Sequence, residues 1–386
     1  LSIALKRDLS ADRCIVQNDQ GALSGTAARL MWRDLSHCLN GLAPLSHSIR
    51  IDCRKDAELM AAGNTAPAEQ IVTVIGGSGF IGRHVVRALA RRGYRIRVAV
   101  RRPDLAGHLQ PLGTVGQIHP IQANIRNAQS LERAVAGSDV VINLVGILFE
   151  SGKQTFDQVQ AEGPRMAAAA AKAAGASRFI QMSAIGADAD GDADYARSKA
   201  LGEQGVLEAF PGAIIFRPSI VFGPEDNFFN QFAGMARLAP ALPLIGGGHT
   251  KFQPVFVGDV AEAVARAVDG DLESGAIYEL GGPDVESFKQ LLQRMLDVIE
   301  RKRLLVSVPM PIARIQAAVL GILPKPLLTQ DQLKLLEHDN VVSDAAIKQG
   351  RTLEGIGIEA QTMTSVLPTY LSRFRKTGPY AKPNAA

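Results

Sequence analysis

Tyr195-Ala196-Arg197-Ser198-Lys199 sets a phenol and an ammonium one helical turn apart on a single face. A lysine charge beside a phenol favours the phenolate, and each unit of pKa lowering is worth about 1.36 kcal/mol. Tyr195 therefore reads as a proton donor or acceptor for a carbonyl/alcohol pair, with Lys199 as its tuner. Ser183 follows the apolar run Arg178–Met182 and is placed to polarise the same oxygen. Such a Tyr/Lys pair occurs by chance on many helices, so its meaning depends on what stands around it.

A second cluster lies upstream. Ile75-Gly76-Gly77-Ser78-Gly79-Phe80-Ile81-Gly82 gives G-x-x-G-x-x-G directly behind a β-branched run, Ile71–Ile75, and at the head of a helical pattern. That strand–turn–helix context gives the glycines their physical reading. Gly76 allows a sharp turn, Gly79 lets backbone approach a pyrophosphate, and Gly82 permits close helix–strand packing. The helix amides then face an anion. The next strand, Arg95–Val100, runs into Arg101-Arg102-Pro103, with no acid before Asp104. Guanidinium groups pair bidentately with a 2′-phosphate, whereas an acid there would accept from a ribose hydroxyl. NADP(H) is thus expected over NAD(H); the bland alternative is a solvated arginine pair.

The elements that must carry these groups follow an alternating order. Strands are expected at Ile71–Ile75, Arg95–Val100, Ile118–Gln122, Asp139–Val145, Arg178–Met182 and Ala213–Phe216. Helices are expected from Phe80 to Gly93 and over Ala128–Ala136, Arg165–Ala174 and Tyr195–Phe210. This is the pattern of an α/β fold, a doubly wound parallel Rossmann sheet, with a smaller irregular lobe toward the C-terminus. The division reads as a leader over 1–68, a Rossmann domain over 69–282 and a helical lobe with a basic tail over 283–386. The Gly-, Pro- and Phe-rich stretch 223–253 is expected to be an irregular substrate-side insertion.

Composition bounds the rest. With 386 residues, 46% hydrophobic and 21% charged, the chain can bury a sizeable core. A net charge of +4 gives no support to nucleic-acid binding. Cys14, Cys38 and Cys53 match no metal or disulfide spacing, and all precede a cysteine-free remainder that reads as intracellular. No metal is expected. No apolar run reaches the length of a membrane span. Residues 1–68 lack a sustained period and are read as lying outside the fold, as a leader or as translated upstream sequence with Met60 the natural start.

Residues from about 70 to 375 resemble the extended, atypical short-chain dehydrogenases. More narrowly, they resemble the nucleotide-binding accessory subunits of respiratory complex I and their bacterial relatives. The resemblance is carried by GGSGFIG at Gly76–Gly82, RRP at Arg101–Pro103, YARSK at Tyr195–Lys199 and RPSIVFGPED at Arg217–Asp226. FQPVFVGDVA at Phe252–Ala261, YELGGP at Tyr278–Pro283 and LLEHDNVVS at Leu335–Ser343 complete it. It implies cofactor contacts at Val145, Gly146, Pro218 and Ile220, in addition to the glycine loop, Arg101, Arg102, Asn124, Tyr195 and Lys199. It also implies a tightly held NADP(H), a link to ubiquinone metabolism, and docking on complex I or another quinone-linked membrane complex. The place implied is cytoplasmic, peripheral on the inner (plasma) membrane, with the Tyr/Lys pair not necessarily turning over. Asn124 and Gln160 depart from the wider pattern, which often has Asp and Asn there. A free oxidoreductase or epimerase acting on a hydroxyl or keto group is the alternative, and a redox-sensing binding module a third. The apolar stretch Pro309–Leu328 is expected mostly to pack on the chain's own Rossmann core. The basic tail, Arg373, Arg375, Lys376 and Lys382, is expected to be solvated.

Overall fold

The computed structural model describes residues 66–320 and 328–378, together with the backbone of three short strands near the N-terminus. Those strands, Ile3–Asp8, Arg13–Asn18 and Gly21–Ala22, pair antiparallel inside a unit of their own, Leu1–Asn64. Regular pairing there is not what the aperiodic sequence of 1–68 suggests, and the rest of that segment through residue 65 lies outside the described residues.

The second unit is built on β1 (Ile71–Ile75), β2 (Arg95–Val100), β3 (Ile118–Gln122), β4 (Val140–Asn143), β5 (Arg178–Met182) and β6 (Ile214–Pro218). The strands β7 (Ala241–Ile245), β8 (Ile277–Leu280) and β9 (Leu304–Val308) follow. Seven of them form one sheet in the order β8-β6-β5-β4-β1-β2-β3, every pair parallel. Parallel strands covered on both faces should be apolar throughout, and all of β4 (VVIN) is buried. The doubly wound expectation holds. The order reverses between β1 and β4, so a crevice opens outside their carboxyl ends.

The helices are α1 (Phe80–Arg91), α2 (Ala128–Val135), α3 (Glu162–Ala173), α4 (Asp194–Ala209), α5 (Phe228–Leu238) and α6 (Val257–Asp269). The C-terminal part adds α7 (Phe288–Val298), α8 (Met310–Leu320), α9 (Gln330–Leu335), α10 (Asp344–Lys348) and α11 (Met363–Leu371). One apolar layer joins the sheet to α1 and α6 through residues such as Val85, Leu89, Val260 and Val264. The opposite layer joins it to α2, α3 and α4 through Leu131, Ala167, Ala171 and Val206.

The stretch read as irregular over 223–253 contains α5 and β7, and β7 pairs in parallel with β9. Its phenylalanines are the reason. Phe222, Phe228, Phe229, Phe232, Phe252 and Phe288 form a chain of edge-on rings that gives the lobe its own core. Burying such rings recovers more free energy than the glycines and prolines of the flanking loops cost. Pro309–Leu328 was expected mostly to pack on the Rossmann core; Ala313 and Ala317 are instead buried in a small separate cluster with Leu333, whereas Ile312 and Ile315 stay exposed. Among the described residues no helix is long and apolar enough to cross a membrane.

Candidate functional site

The glycine loop occupies the crevice. Gly76 adopts φ +83°, a left-handed turn that favours glycine; its N–H donates to the Ala99 carbonyl at 2.9 Å and its carbonyl accepts from Gly79 at 3.0 Å. A Cβ on Gly82 would lie 2.6 Å from the Gly76 carbonyl oxygen and from Gly77 backbone, so α1 can seat on the loop only without a side chain there. Gly79 differs. Its hypothetical Cβ meets only the Gly76 oxygen, at 3.3 Å, so little in the protein itself demands glycine at this exposed position. The room it leaves suits an incoming group. No side chain caps α1 and no acid stands in its first turn, so its opening amides point toward the crevice unneutralised.

Flanking groups close around the loop. The Val145 side chain lies about 3.0 Å from where a Gly76 Cβ would stand. Beside it, Gly146 is 3.4 Å, measured from an ideal Cβ, from both the Gln160 Oε1 and the Lys199 Nζ. Beyond β2 and β3 a polar depression of about 350 Å³ is lined by Arg101, Asn124, Asn127, Gln129 and Arg133 among others, with no carboxylate in its wall. Arg101 donates to Gln154 at 2.6 Å. Arg102, by contrast, is exposed and paired with Asp104, outside that lining. Asn124 is partly engaged, its Oδ1 accepting the Arg126 N–H at 3.1 Å.

The proton-transfer candidates meet at the carboxyl end of β5. Ser183 is buried, and its hydroxyl has no hydrogen-bond partner among the described residues. An orphaned buried hydroxyl is rare and marks a place for a missing partner. Lys199 Nζ reaches the carbonyl of the adjacent Met182 at 3.4 Å and lies 5.8 Å from the Tyr195 ring centroid. Pro218, the last residue of β6, is buried, and half-buried Ile220 follows.

The electrostatics run against the sequence-based expectation for Tyr195. Burial, helped by the Asp331 carboxylate, pushes the phenol up to about 12 rather than down. Burial also pushes Lys199 down to about 8, against the pull of Glu203. Both charged forms lose solvation on entering the fold, and at this separation the lysine does not offset the loss for the phenolate.

Residues 72–281 match the profile of the NAD dependent epimerase/dehydratase family. The chain belongs to this family. It is 35% identical over 329 residues to NADH dehydrogenase [ubiquinone] 1 alpha subcomplex subunit 9, mitochondrial, of Arabidopsis thaliana, across 82% of this chain and 81% of that protein. It is 30% identical over 324 residues to the mitochondrial NADH-ubiquinone oxidoreductase 40 kDa subunit of Neurospora crassa, across 84% of each. Among solved structures, the dTDP-glucose 4,6-dehydratase DesIV of Streptomyces venezuelae, with NAD and TYD bound, superposes with a TM-score of 0.61 at 20% identity. That match spans 79% of this chain and 96% of the other, and it shows the shared fold.

The fold of this epimerase/dehydratase member also shows how the site is braced. A wide helical turn, Asp157–Ala161, precedes α3 and carries Gln160. Gly202 of α4 sits so close to it that a Cβ would fall 2.0 Å from the Gln160 carbonyl oxygen. The Gln160 amide donates to Ser198 Oγ at 3.2 Å, and its Oε1 accepts the Ile147 N–H at 3.4 Å. Gln160 is therefore built into the site despite its departure from the common Asn. Three contributors were not singled out as functional from sequence. Asn143 at the end of β4 bonds Gln181 at 2.9 Å, and Asn340 donates to the Ile185 carbonyl just past Ser183 at 3.2 Å. Asp331 accepts the N–H groups of Asp194 and Tyr195. The LEHDNVVS motif was the only signal for Asn340, and nothing local points to Asp331.

Proposed function

We propose that this chain holds NADP(H) as a structural ligand and serves as an accessory subunit of an NADH:ubiquinone oxidoreductase or a related quinone-linked complex, peripheral to the membrane. The observation that carries the reading is the geometry of the glycine loop, where Gly76 turns with a positive φ, Gly82 seats α1 on bare backbone and exposed Gly79 leaves room for an incoming group. The likeness to the two mitochondrial subunits, over more than four-fifths of the chain, supports the assembly part.

Within this reading the Gly76–Gly82 amides take the diphosphate, and Arg101 with Arg133 offer guanidinium groups to a 2′-phosphate. The acid-free wall around those arginines supports NADP(H) over NAD(H). A bound nicotinamide would supply hydride chemistry. Ser183 and Tyr195 would hold a hydrogen bond at its side of the crevice, and Gln160 would keep Lys199 and Ser198 in register. Binding only the folded state stabilises it by about 4 kcal/mol at a thousandfold excess over Kd.

The free oxidoreductase or epimerase is favoured by one observation, the unpartnered, buried Ser183 hydroxyl next to the Met182 carbonyl that Lys199 reaches. Fractionation of native membranes separates the two readings. The protein is expected to migrate with the quinone-reducing complex and to retain NADPH through gel filtration. A free, soluble chain with fast cofactor exchange and a turnover abolished by Tyr195→Phe would overturn the accessory assignment. Arg101→Ala is expected to weaken NADPH roughly tenfold while sparing NADH, measured by calorimetry.

A further inference from the structure

The helix that carries Tyr195 and Lys199 has no cap of its own. Its N-cap, Ala193, offers no side-chain acceptor, and the acid of its first turn, Asp194, is engaged by Arg197. The missing acceptor comes from far along the chain. Asp331, the second residue of α9, takes the Asp194 N–H on one carboxylate oxygen at 2.6 Å and the Tyr195 N–H on the other at 3.0 Å. Lys334 of the same helix donates to the Asp192 carbonyl at 2.9 Å, a second tether at the same helix end.

On its other side α9 is tied to the lobe. Thr329 and Gln332 close a reciprocal cap at its start, Leu333 is buried against Ala313 and Ala317 of α8, and Glu337 pairs with Arg314. A displacement of the α8–α9 pair would therefore withdraw both a cap and a negative charge from the first turn of α4.

We propose that Asp331 is a positioning residue that latches the C-terminal lobe to the helix bearing Tyr195 and Lys199, so that seating of the lobe and setting of the site are one event. The carboxylate acts on Tyr195 through its charge as well as its hydrogen bonds, adding to the effect of burial on the phenol. The other charged groups around Tyr195 are Lys199 and the Asp194–Arg197 pair on α4 and Lys334 on α9, while the Phe156 ring meets it edge-on at 6.0 Å. A lobe held down keeps the phenol protonated. A lobe displaced from α4 would leave Tyr195 easier to ionise. The inference deepens the reading above and rests on Tyr195 lying at the nicotinamide side of the crevice.

The test uses ligand-free full chain, so its failure is distinct from a failure of NADPH retention. Tyrosines are replaced biosynthetically by 3-fluorotyrosine, which brings phenol titrations into an accessible range, and Tyr195 is assigned in the fluorine spectrum through Tyr195→Phe. In Asp331→Asn the Tyr195 signal is expected to titrate about one pH unit below the unsubstituted chain. Asp331→Glu is expected to restore most of the difference, and limited proteolysis to cut the lobe of Asp331→Asn several-fold faster. An unmoved Tyr195 titration in a folded Asp331→Asn protein overturns the proposal. If that variant does not fold, Lys334→Met loosens the second tether with the carboxylate kept. Faster lobe cleavage with a lowered Tyr195 titration then supports the latch, and faster cleavage with an unchanged one refutes it.

Discussion

Gly79 and Gly82 look alike in the sequence but have different jobs, and two substitutions separate them. Gly82→Ala drives a methyl to 2.6 Å from fixed backbone, so the loop or α1 must shift. A loss of 2 kcal/mol or more in unfolding free energy is expected for such overpacking, measured by urea titration. Gly79→Ala meets only one atom, at 3.3 Å, and is expected to leave the ligand-free stability within about 0.5 kcal/mol. Its cost should fall instead on NADPH affinity, by tenfold or more. Equal effects of the two substitutions on ligand-free stability would contradict this division.

Lys199 carries a prediction of definite sign. Its folded pKa, about 8, lies below the ordinary 10.5, so between those values the unfolded chain binds more protons and stability rises with pH. Tyr195 has the opposite sign: its pKa of about 12 stands above the ordinary 10, so its contribution is full below 10 and is lost toward 12. Compared with Lys199→Met, the unsubstituted chain should gain about 2 kcal/mol between pH 8 and 10, read from denaturant midpoints. A pH-independent difference would mean that Lys199 is solvated.

At the scale of elements, α4 is held in place by buried charge. Arg217 of β6 grips Glu203 of α4 through two hydrogen bonds, at 2.9 and 2.6 Å, and Glu203 is buried. Glu203→Ala leaves the guanidinium without its main partner and is expected to cost about 3–5 kcal/mol. The terminal helix is fixed in a related way. Tyr370 of α11 donates at 2.5 Å to Asp226, whose carboxylate also accepts from Gly223 and Asn230. Burial pushes both Asp226 and Tyr370 up. Tyr370→Phe should lower stability by about 1–3 kcal/mol at neutral pH, seen as a lower Tm.

Of the basic tail, Arg373 and Lys376 are exposed as expected, and only Arg375 is partly buried. Arg373 donates to Asn230, and Arg375 donates to the Val298 carbonyl and pairs with Glu300. Lys382 lies outside the described residues.

Elements of the sheet were legible because a doubly covered parallel strand must be apolar along its whole length. Thus β1 and β5 fall where their apolar runs fall, whereas β2 was legible from its alternation and β3, an edge strand with only Ile118 fully buried, from its place in the βα order. The start of α3 was not legible: the wide turn at Asp157–Ala161 is set by its packing on Gly202, from a helix some forty residues on. Nor were α5 and β7, since glycine, proline and asparagine around them outweigh any local period, and the phenylalanines pay back only once Phe288 closes the cluster.

For the molecule as a whole, the segment Asp339–Ser343 works as a seam across the carboxyl edge of the sheet. Asn340 binds Ser219 after β6, Ile185 after β5 and the backbone of Lys251 and Gln253 on either side of Phe252 in the short strand Lys251–Phe252; Val342 binds Gln253, and Ser343 binds Glu279 of β8. The motif is thus a structural lacing around the crevice, and it sits where the lobe closes on the Rossmann core.

By itself the sequence determined the alternation of strands and helices, the family and the glycine turn ahead of α1, because these rest on local rules: apolar period, turn chemistry and glycine spacing. The tertiary structure alone decided the direction in which burial shifts Tyr195 and Lys199, the placing of Arg101 but not Arg102 in the wall of the polar depression, and the capping of α4 by Asp331. Those depend on burial and on charges brought together from distant positions, and neither quantity is defined until the chain has closed on itself.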